Sequence, residues 1–329
     1  MKIAFTSELP IRGKIPRTHE NMRTEFAWMC KLEADHFPID SGASIQDYDL
    51  VVAILPKGLV FKNAVGVRMN EEQQNTIKEF LQFDFIKMLK SNNKKVAYMQ
   101  EGPNWLFNDY DVTEQIGFYN QLSHTDMIFA HNKIDVKFYK GLFPGKKVVN
   151  MRTLMITDIV DGKDEPKLNK TIIGGNLARW YGGFQSFTVA SHFGNQVYTQ
   201  TSHATMEDET RIQELEHLPR MNWADWMISL SSFKYAVHLM PTVAAGTFSL
   251  NCAYWGIPCI GNEKVDTQKL CFPELSVDID DIELAVKLAK KLRDDKGFYN
   301  ECSKESLYRY SEYYAEEKWI EKFKSDYEA

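Results

Sequence analysis

Short apolar runs separated by amphipathic stretches recur along the whole chain, and this alternation constrains the fold more than any single motif. Residues 2–6 read as a strand, 21–34 as a helix, 49–55 as a strand, 71–90 as a helix and 95–99 as a strand. The pattern continues with a helix over 112–122, a strand over 126–130, a short helix over 134–139 and a strand over 147–150. Strands with a helix between each pair become neighbours only through crossovers, so the spacing predicts a parallel sheet. The polar stretch DIVDGKDEPKLNK, 158–170, has the composition of an exposed linker. After it the alternation restarts, with strands over 171–173, 196–199, 235–240 and 258–260. Helices fall over 187–193, 223–230, 247–255 and from 281 onward. The expected architecture is two tandem Rossmann-like, doubly wound α/β domains, 1–157 and 171–303, facing a central cleft, with a terminal helix over 304–329 crossing back to the first.

At 329 residues and 44% hydrophobic content, the chain has apolar surface enough for two cores. Its apolar runs, such as 48–56, fall far short of the roughly 20 residues that span a bilayer, so no membrane insertion is expected. The N-terminal MKIAF passes straight into a strand pattern without the apolar core of a signal peptide, and a cytoplasmic location is the expectation. Cys30, Cys252, Cys259, Cys271 and Cys302 form no C-x-x-C pair and read as reduced core thiols. A formal net charge of −6 carries no general basic footprint for nucleic acid, so any such contact would be local.

The chemical signal concentrates in YAVHLMPTVAAGTFSLNCAYWGIPCIG, residues 235–261. Ala244, Ala245 and Gly246 let a ligand approach the backbone, and a helix beginning at Thr247, Phe248 and Ser249 would aim free N–H groups at an anion. A diphosphate suits such a site; an ordinary β-α-β unit with a tight loop is the competing reading. A second segment, IIGGNLARWYGGF over 172–184, runs a strand into Gly174, Gly175 and Asn176. Arg179 follows, and its planar fork matches phosphate oxygens, although a solvated arginine on a surface turn has the same appearance.

Together these segments resemble the donor half of GT-B glycosyltransferases, with a proline after the strand, a glycine-rich loop, a helix and a Gly-x-Pro turn. The resemblance implies a nucleotide-sugar donor, in the first instance a UDP-sugar, and no required cofactor or metal. By it Gly246, Thr247 and Phe248 hold the donor phosphates, with Gly174, Gly175, Asn176 and Arg179 beside the pyrophosphate. Arg220 falls in a segment, 216–226, styled like the loop that grips the base, and Asn251 sits where many relatives place the glutamate that binds the ribose. Val243 and Asn251 stand where the paired-glutamate retaining enzymes carry two Glu, so the stereochemistry stays unassigned.

On the acceptor side, Glu101, Asp109 and Asp111 follow a strand end and compete for the role of base, with helix capping or a solvated loop as their alternative. His131 ends the next strand and joins them as a catalytic candidate, with a structural histidine as the more common reading of such a residue. The loop 8–20 carries Arg12, Lys14, Arg17, His19 and Glu20, which would suit a phosphate or polyanionic acceptor, with a mobile basic loop that holds no ligand as the equal alternative. Asp109-Tyr-Asp111 matches a D-x-D metal motif in letters but does not end an apolar strand, so no metal is assigned there. The absence of G-x-G-x-x-G after the first strand, of G-x-x-x-x-G-K-[ST], G-x-S-x-G and H-E-x-x-H removes support for dehydrogenase, P-loop, α/β-hydrolase and zincin readings.

The style of the two donor segments looks like glycosyltransferases of tailed-phage genomes. That likeness implies an acceptor hydroxyl on hydroxymethylated pyrimidine in double-stranded DNA, which would have to be flipped into the site. The acidic net charge opposes it. A polysaccharide or other glycan acceptor, and a non-catalytic nucleotide- or sugar-binding protein of the same shape, stand as alternatives.

Overall fold

The computed structural model describes residues 1–55, 72, 75, 84–100, 102–104, 112–178, 180–200 and 207–328. They form two compact units, one made of 1–16, 25–152 and 325–329, the other of 17–24 and 153–324.

The first unit holds β1 (Ile3–Ser7), β2 (Gly13–Lys14), β3 (Asp35–Pro38), β4 (Leu50–Ala53), β5 (Val96–Met99), β6 (Met127–Ala130) and β7 (Lys147–Asn150). They lie in the order β2-β3-β1-β4-β5-β6-β7, parallel except where β2 meets β3. β1, β4, β5 and β6 are buried at every position, which is why they read as unbroken apolar runs: helices cover both faces of a parallel sheet. Phe85 and Leu89 of the helix Phe85–Asn92 and Leu122 of the helix Val112–His124 pack with Val51, Val96, Tyr98 and Ile128 in one cluster. Trp28, from the helix Thr24–Lys31, meets Phe129 edge-on with ring centroids 5.5 Å apart.

The second unit holds β8 (Leu168–Ile173), β9 (Val197–Gln200), β10 (Leu215–Leu218), β11 (Phe233–His238), β12 (Cys259–Asn262) and β13 (Ser276–Val277), all parallel in the order β10-β9-β8-β11-β12-β13. From β8 the chain winds outward through β9 and β10, then returns to the other side of β8 to lay down β11. The helices Lys296–Tyr314 and Glu316–Glu328 close the chain, with Tyr314, Trp319 and Phe323 buried. Its last residues, 325–329, count with the first unit, where Lys95 Nζ sits 4.6 Å above the Tyr327 ring.

Two Rossmann-like parallel sheets in tandem agree with the expected fold class, while several local readings differ. The stretch 158–170 is no loose connector: Val160 is buried, Glu165 N–H donates to Ser231 Oγ at 2.8 Å and Tyr254 Oη bonds Asp161. The units part at residue 152 instead. Residues 17–24, read as part of the first domain, belong to the second, because Ile156 N–H bonds Met22 O and Thr24 N–H bonds Leu154 O, both at 3.0 Å. β3 escaped the apolar pattern since it is DHFP; its His36 is buried by virtue of ring bonds to Ser7 Oγ at 2.9 Å and Ile11 O at 2.6 Å. Of the helix read over 71–90, residues 71, 73–74 and 76–83 lie outside the described residues.

Candidate functional site

Open parallel sheets present ligand crevices outside the carboxyl ends of the strands at the point where strand order reverses. In the second unit that point lies between β8 and β11. β8 runs into Gly174, Gly175 and Asn176, with Gly174 N–H bonded to Val237 O at 3.0 Å. Gly175 has φ +76°, and a Cβ there would sit 2.6 Å from the Tyr181 ring. Its carbonyl accepts from Thr199 Oγ1, and Asn176 Oδ1 accepts from Ala178 N–H at 3.1 Å. The turn is thus tied down by its own Asn176, by Thr199 of β9 and by Glu209, which is buried, accepts from Leu177 N–H at 3.2 Å and pairs with His217 at 3.1 Å.

Two helices begin at this crevice, Gly183–Ala190 and Thr247–Tyr254. Their caps, Gly182 and Gly246, are both left-handed, with φ 63° and 69°, and neither helix has a side-chain cap. First-turn N–H groups without a partner and the positive end of the dipole are what an anion needs. The loop from β11 to the second of them is braced at both ends. Leu239 N–H donates to Ser186 Oγ at 2.9 Å, while Thr153 Oγ1 bonds Ala245 O and Thr267 Oγ1 bonds Gly246 O at 2.8 Å. Crowding excludes any larger cap: a Cβ on Gly182 would lie 2.0 Å from Leu239 O, and one on Gly246 1.9 Å from Thr267 Oγ1.

The structure sorts the other donor-side candidates. Phe248 is buried against Trp226 and His238, so only its backbone is available to a ligand. Asn251 is buried too, with its amide oxygen accepting from Trp226 Nε1 and its NH2 donating to Thr247 O, both at 3.1 Å; this joins the helix to its neighbour. Arg220 is exposed just after β10, and Arg179 lies outside the described residues. Sequence reasoning did not single out His238 or Glu209: the first was hidden inside an apolar strand, the second in a polar stretch without a motif.

In the first unit, Gln100, His131, Asn132 and Asp135 gather at the carboxyl ends of β5 and β6, all buried. His131 rests edge-on to Trp28, and burial lowers its pKa to about 4 despite the carbonyls of Met151 and Gln100, so it is neutral. Such burial suits a core residue better than one that meets an acceptor. Asp135 N–H donates to Asn132 Oδ1 at 2.8 Å, and its carboxylate accepts from Asn132 Nδ2 and from Asn104 N–H. Glu101, Asp109 and Asp111 lie outside the described residues.

Burial pushes the Asp135 carboxyl up to about 6, the bonds from Asn132 and Asn104 opposing. A folded pKa above the unfolded one means that the protonated form favours folding, so this stability is present at low pH and lost as pH rises through about 6. Asp135→Asn is therefore expected to shrink the fall in unfolding free energy between about pH 4 and pH 7 by about 2–3 kcal/mol. Urea titrations at each pH measure it, and a profile parallel to that of the parent protein refutes it.

The acceptor-side candidates divide between the units. Arg12, in the first, donates to Ser41 Oγ at 2.7 Å, and Lys14 lies exposed on β2. Arg17, in the second, is committed: its guanidinium spans Asp158 at 2.6 Å and Glu316 at 2.8 Å, and both carboxylates raise its pKa. His19 Nδ1 accepts from Asn21 N–H at 3.1 Å. Glu20 O and Asn21 Oδ1 accept from Ala224 and Trp223 N–H, so this segment covers the N-terminus of the helix Trp223–Ser231. Among the described residues no cluster of three His, Cys, Asp or Glu could hold a metal ion, and no helix is long and apolar enough to cross a membrane.

No protein-family profile matches this sequence, and no curated protein matches it. Solved structures do share its fold. An alpha-glucosyltransferase in complex with UDP-glucose and DNA containing an abasic site superposes with TM-score 0.66 at 12% identity, over 99% of this chain and 98% of that one. An alpha-glucosyltransferase with UDP and a 13-mer DNA containing a HMU base gives the same TM-score and identity over 100% of both chains. The pneumococcal O-GlcNAc transferase GtfA, in complex with UDP and GlcNAc, follows with TM-score 0.58 and 11% identity, over 88% of this chain and 58% of that one. At such identities the likeness shows the fold, which is that of the GT-B glycosyltransferases.

Proposed function

We propose that this protein is a glycosyltransferase whose nucleotide-sugar donor, a UDP-sugar, seats its diphosphate on the two helix N-termini at the β8–β11 crevice. The observation that carries the reading is this pair of helices, each capped by a left-handed glycine that leaves its first-turn N–H groups to a ligand. In the transfer step an acceptor hydroxyl attacks the anomeric carbon, the bond from that carbon to the diphosphate oxygen breaks, and negative charge develops on the departing diphosphate. Oriented N–H groups stabilise that charge where it forms, and Arg179 is the candidate cation for the same task. A carboxylate among Glu101, Asp109 and Asp111 takes the proton from the hydroxyl, and Arg220 flanks the base of the nucleotide.

For the acceptor we put first a hydroxymethylated pyrimidine of double-stranded DNA, which would place the reaction in the cytoplasm. Support comes from the alpha-glucosyltransferase structures with DNA, which match this chain over its full length rather than over part of theirs. A glycan acceptor is the second reading, favoured by the likeness to GtfA, in complex with UDP and GlcNAc. Calorimetric titration with UDP tests the donor site. Mass spectrometry of hydroxymethylated duplexes incubated with UDP-sugars, with and without EDTA, tests transfer. A mass increase of one hexose that survives EDTA is expected; no binding of any nucleoside diphosphate would sink the reading.

A further inference from the structure

His238 ends β11 at the crevice, and among the described residues nothing bonds its Nε2. The imidazole lies over Gly174, where an added Cβ would come within 2.4 Å of Cγ and Cδ2 and 2.9 Å of Nε2. Phe248 meets it edge-on, ring centroids 4.9 Å apart. Nε2 is buried and has no hydrogen-bond partner among the described residues. A buried polar atom left without a partner destabilises the fold, a penalty that a phenylalanine or leucine of similar bulk would avoid. The position therefore carries a penalty that folding alone does not explain. Around the ring, Gly174 and Gly175 follow β8, Gly261 pairs with His238 from β12, and Thr247 and Phe248 open the adjoining helix, none of them titratable. Burial is the sole cause that lowers its pKa, to about 4, and the ring is neutral near pH 7.

We propose that His238 belongs to the donor site, where its imidazole hydrogen-bonds the diphosphate held by the flanking helices and takes up a proton from solvent as that charge arrives. The inference rests on the nucleotide-sugar reading of the same crevice. An anion beside the ring favours the imidazolium, so its pKa rises on binding. Binding then consumes protons, and affinity strengthens as pH falls through the raised value. No bond in the donor changes in this step: the imidazole lone pair accepts the proton, and the buffer supplies it. Gly174 thereby gains a reason to be glycine, since only a residue without Cβ leaves the imidazole room.

Titration calorimetry of the full chain with UDP, in two buffers of different ionisation enthalpy at about pH 6 and pH 8, tests the proposal. The parent protein is expected to absorb more protons per UDP than His238→Gln or His238→Phe. Both variants are expected to bind about tenfold more weakly at the lower pH, with a smaller loss at the higher. Phenylalanine keeps the ring packing, so a packing role alone would leave proton uptake and its pH dependence unmoved. Should either variant fail to fold, Gly174→Ala, which displaces the imidazole without removing it, is expected to reproduce the loss of proton uptake. UDP binding with unchanged affinity and proton count in the variants overturns the role of His238 and leaves the donor site standing; no UDP binding by the parent protein overturns both.

Discussion

Valine at position 246 is expected to abolish UDP binding, with affinity falling at least about 100-fold in calorimetry. Gly246 caps the helix Thr247–Tyr254 at φ 69°, a left-handed conformation that costs an L-residue about 1–2 kcal/mol. Its added Cβ would lie 1.9 Å from Thr267 Oγ1 and 2.8 Å from Val265 Cγ1. Thr267 is buried, and its hydroxyl bonds Gly246 O, so it cannot turn aside without losing that bond. Overpacking adds about 1–3 kcal/mol, and the start of the helix has to move away from Val265 and Thr267. Its N–H groups then leave the positions that a diphosphate would occupy. Gly246→Ala should show a weaker form of the same defect. Parent-like UDP affinity in the valine variant would mean that this helix start does not hold the donor.

Trp28→Ala is expected to cost the protein about 3–5 kcal/mol in urea unfolding, the range for deleting a large buried aromatic side chain. Trp28 is 0% exposed and stands between helix and sheet, 5.5 Å from the Phe129 ring and 5.8 Å from that of His131, both edge-on. Removing it opens a cavity under the carboxyl end of β6 and leaves the neutral His131 beside a void. Ile128→Val, on the same strand, removes one methylene and should cost only about 0.5–1.5 kcal/mol. A loss below about 1 kcal/mol for Trp28→Ala would show that this face is not packed around the indole.

Two parallel α/β units were legible in the residues themselves, because strands buried on both faces have to be apolar throughout and the helices between them amphipathic. The helix start at Thr247 and the turn at Gly174 and Gly175 were legible for a related reason. Each needs small residues within a few positions of one another, so the signal is local. What escaped depends on partners far along the chain. His36 makes a strand residue only because Ser7 and Ile11 meet its ring, and Arg17 belongs with Asp158 and Glu316, 141 and 299 positions away. Asn251 resembled a ligand-facing polar residue until its amide was found against Trp226.

Local composition and periodicity by themselves determined the tandem alternation of apolar strands and helices and the small-residue turns at Gly174 and Gly246. Only the tertiary structure decided which polar groups are left without a partner, since hydrogen-bond satisfaction is settled by residues that the chain brings together from a distance. That is why His238 passed unremarked in an apolar run and stands out once its ring is seen lying over Gly174.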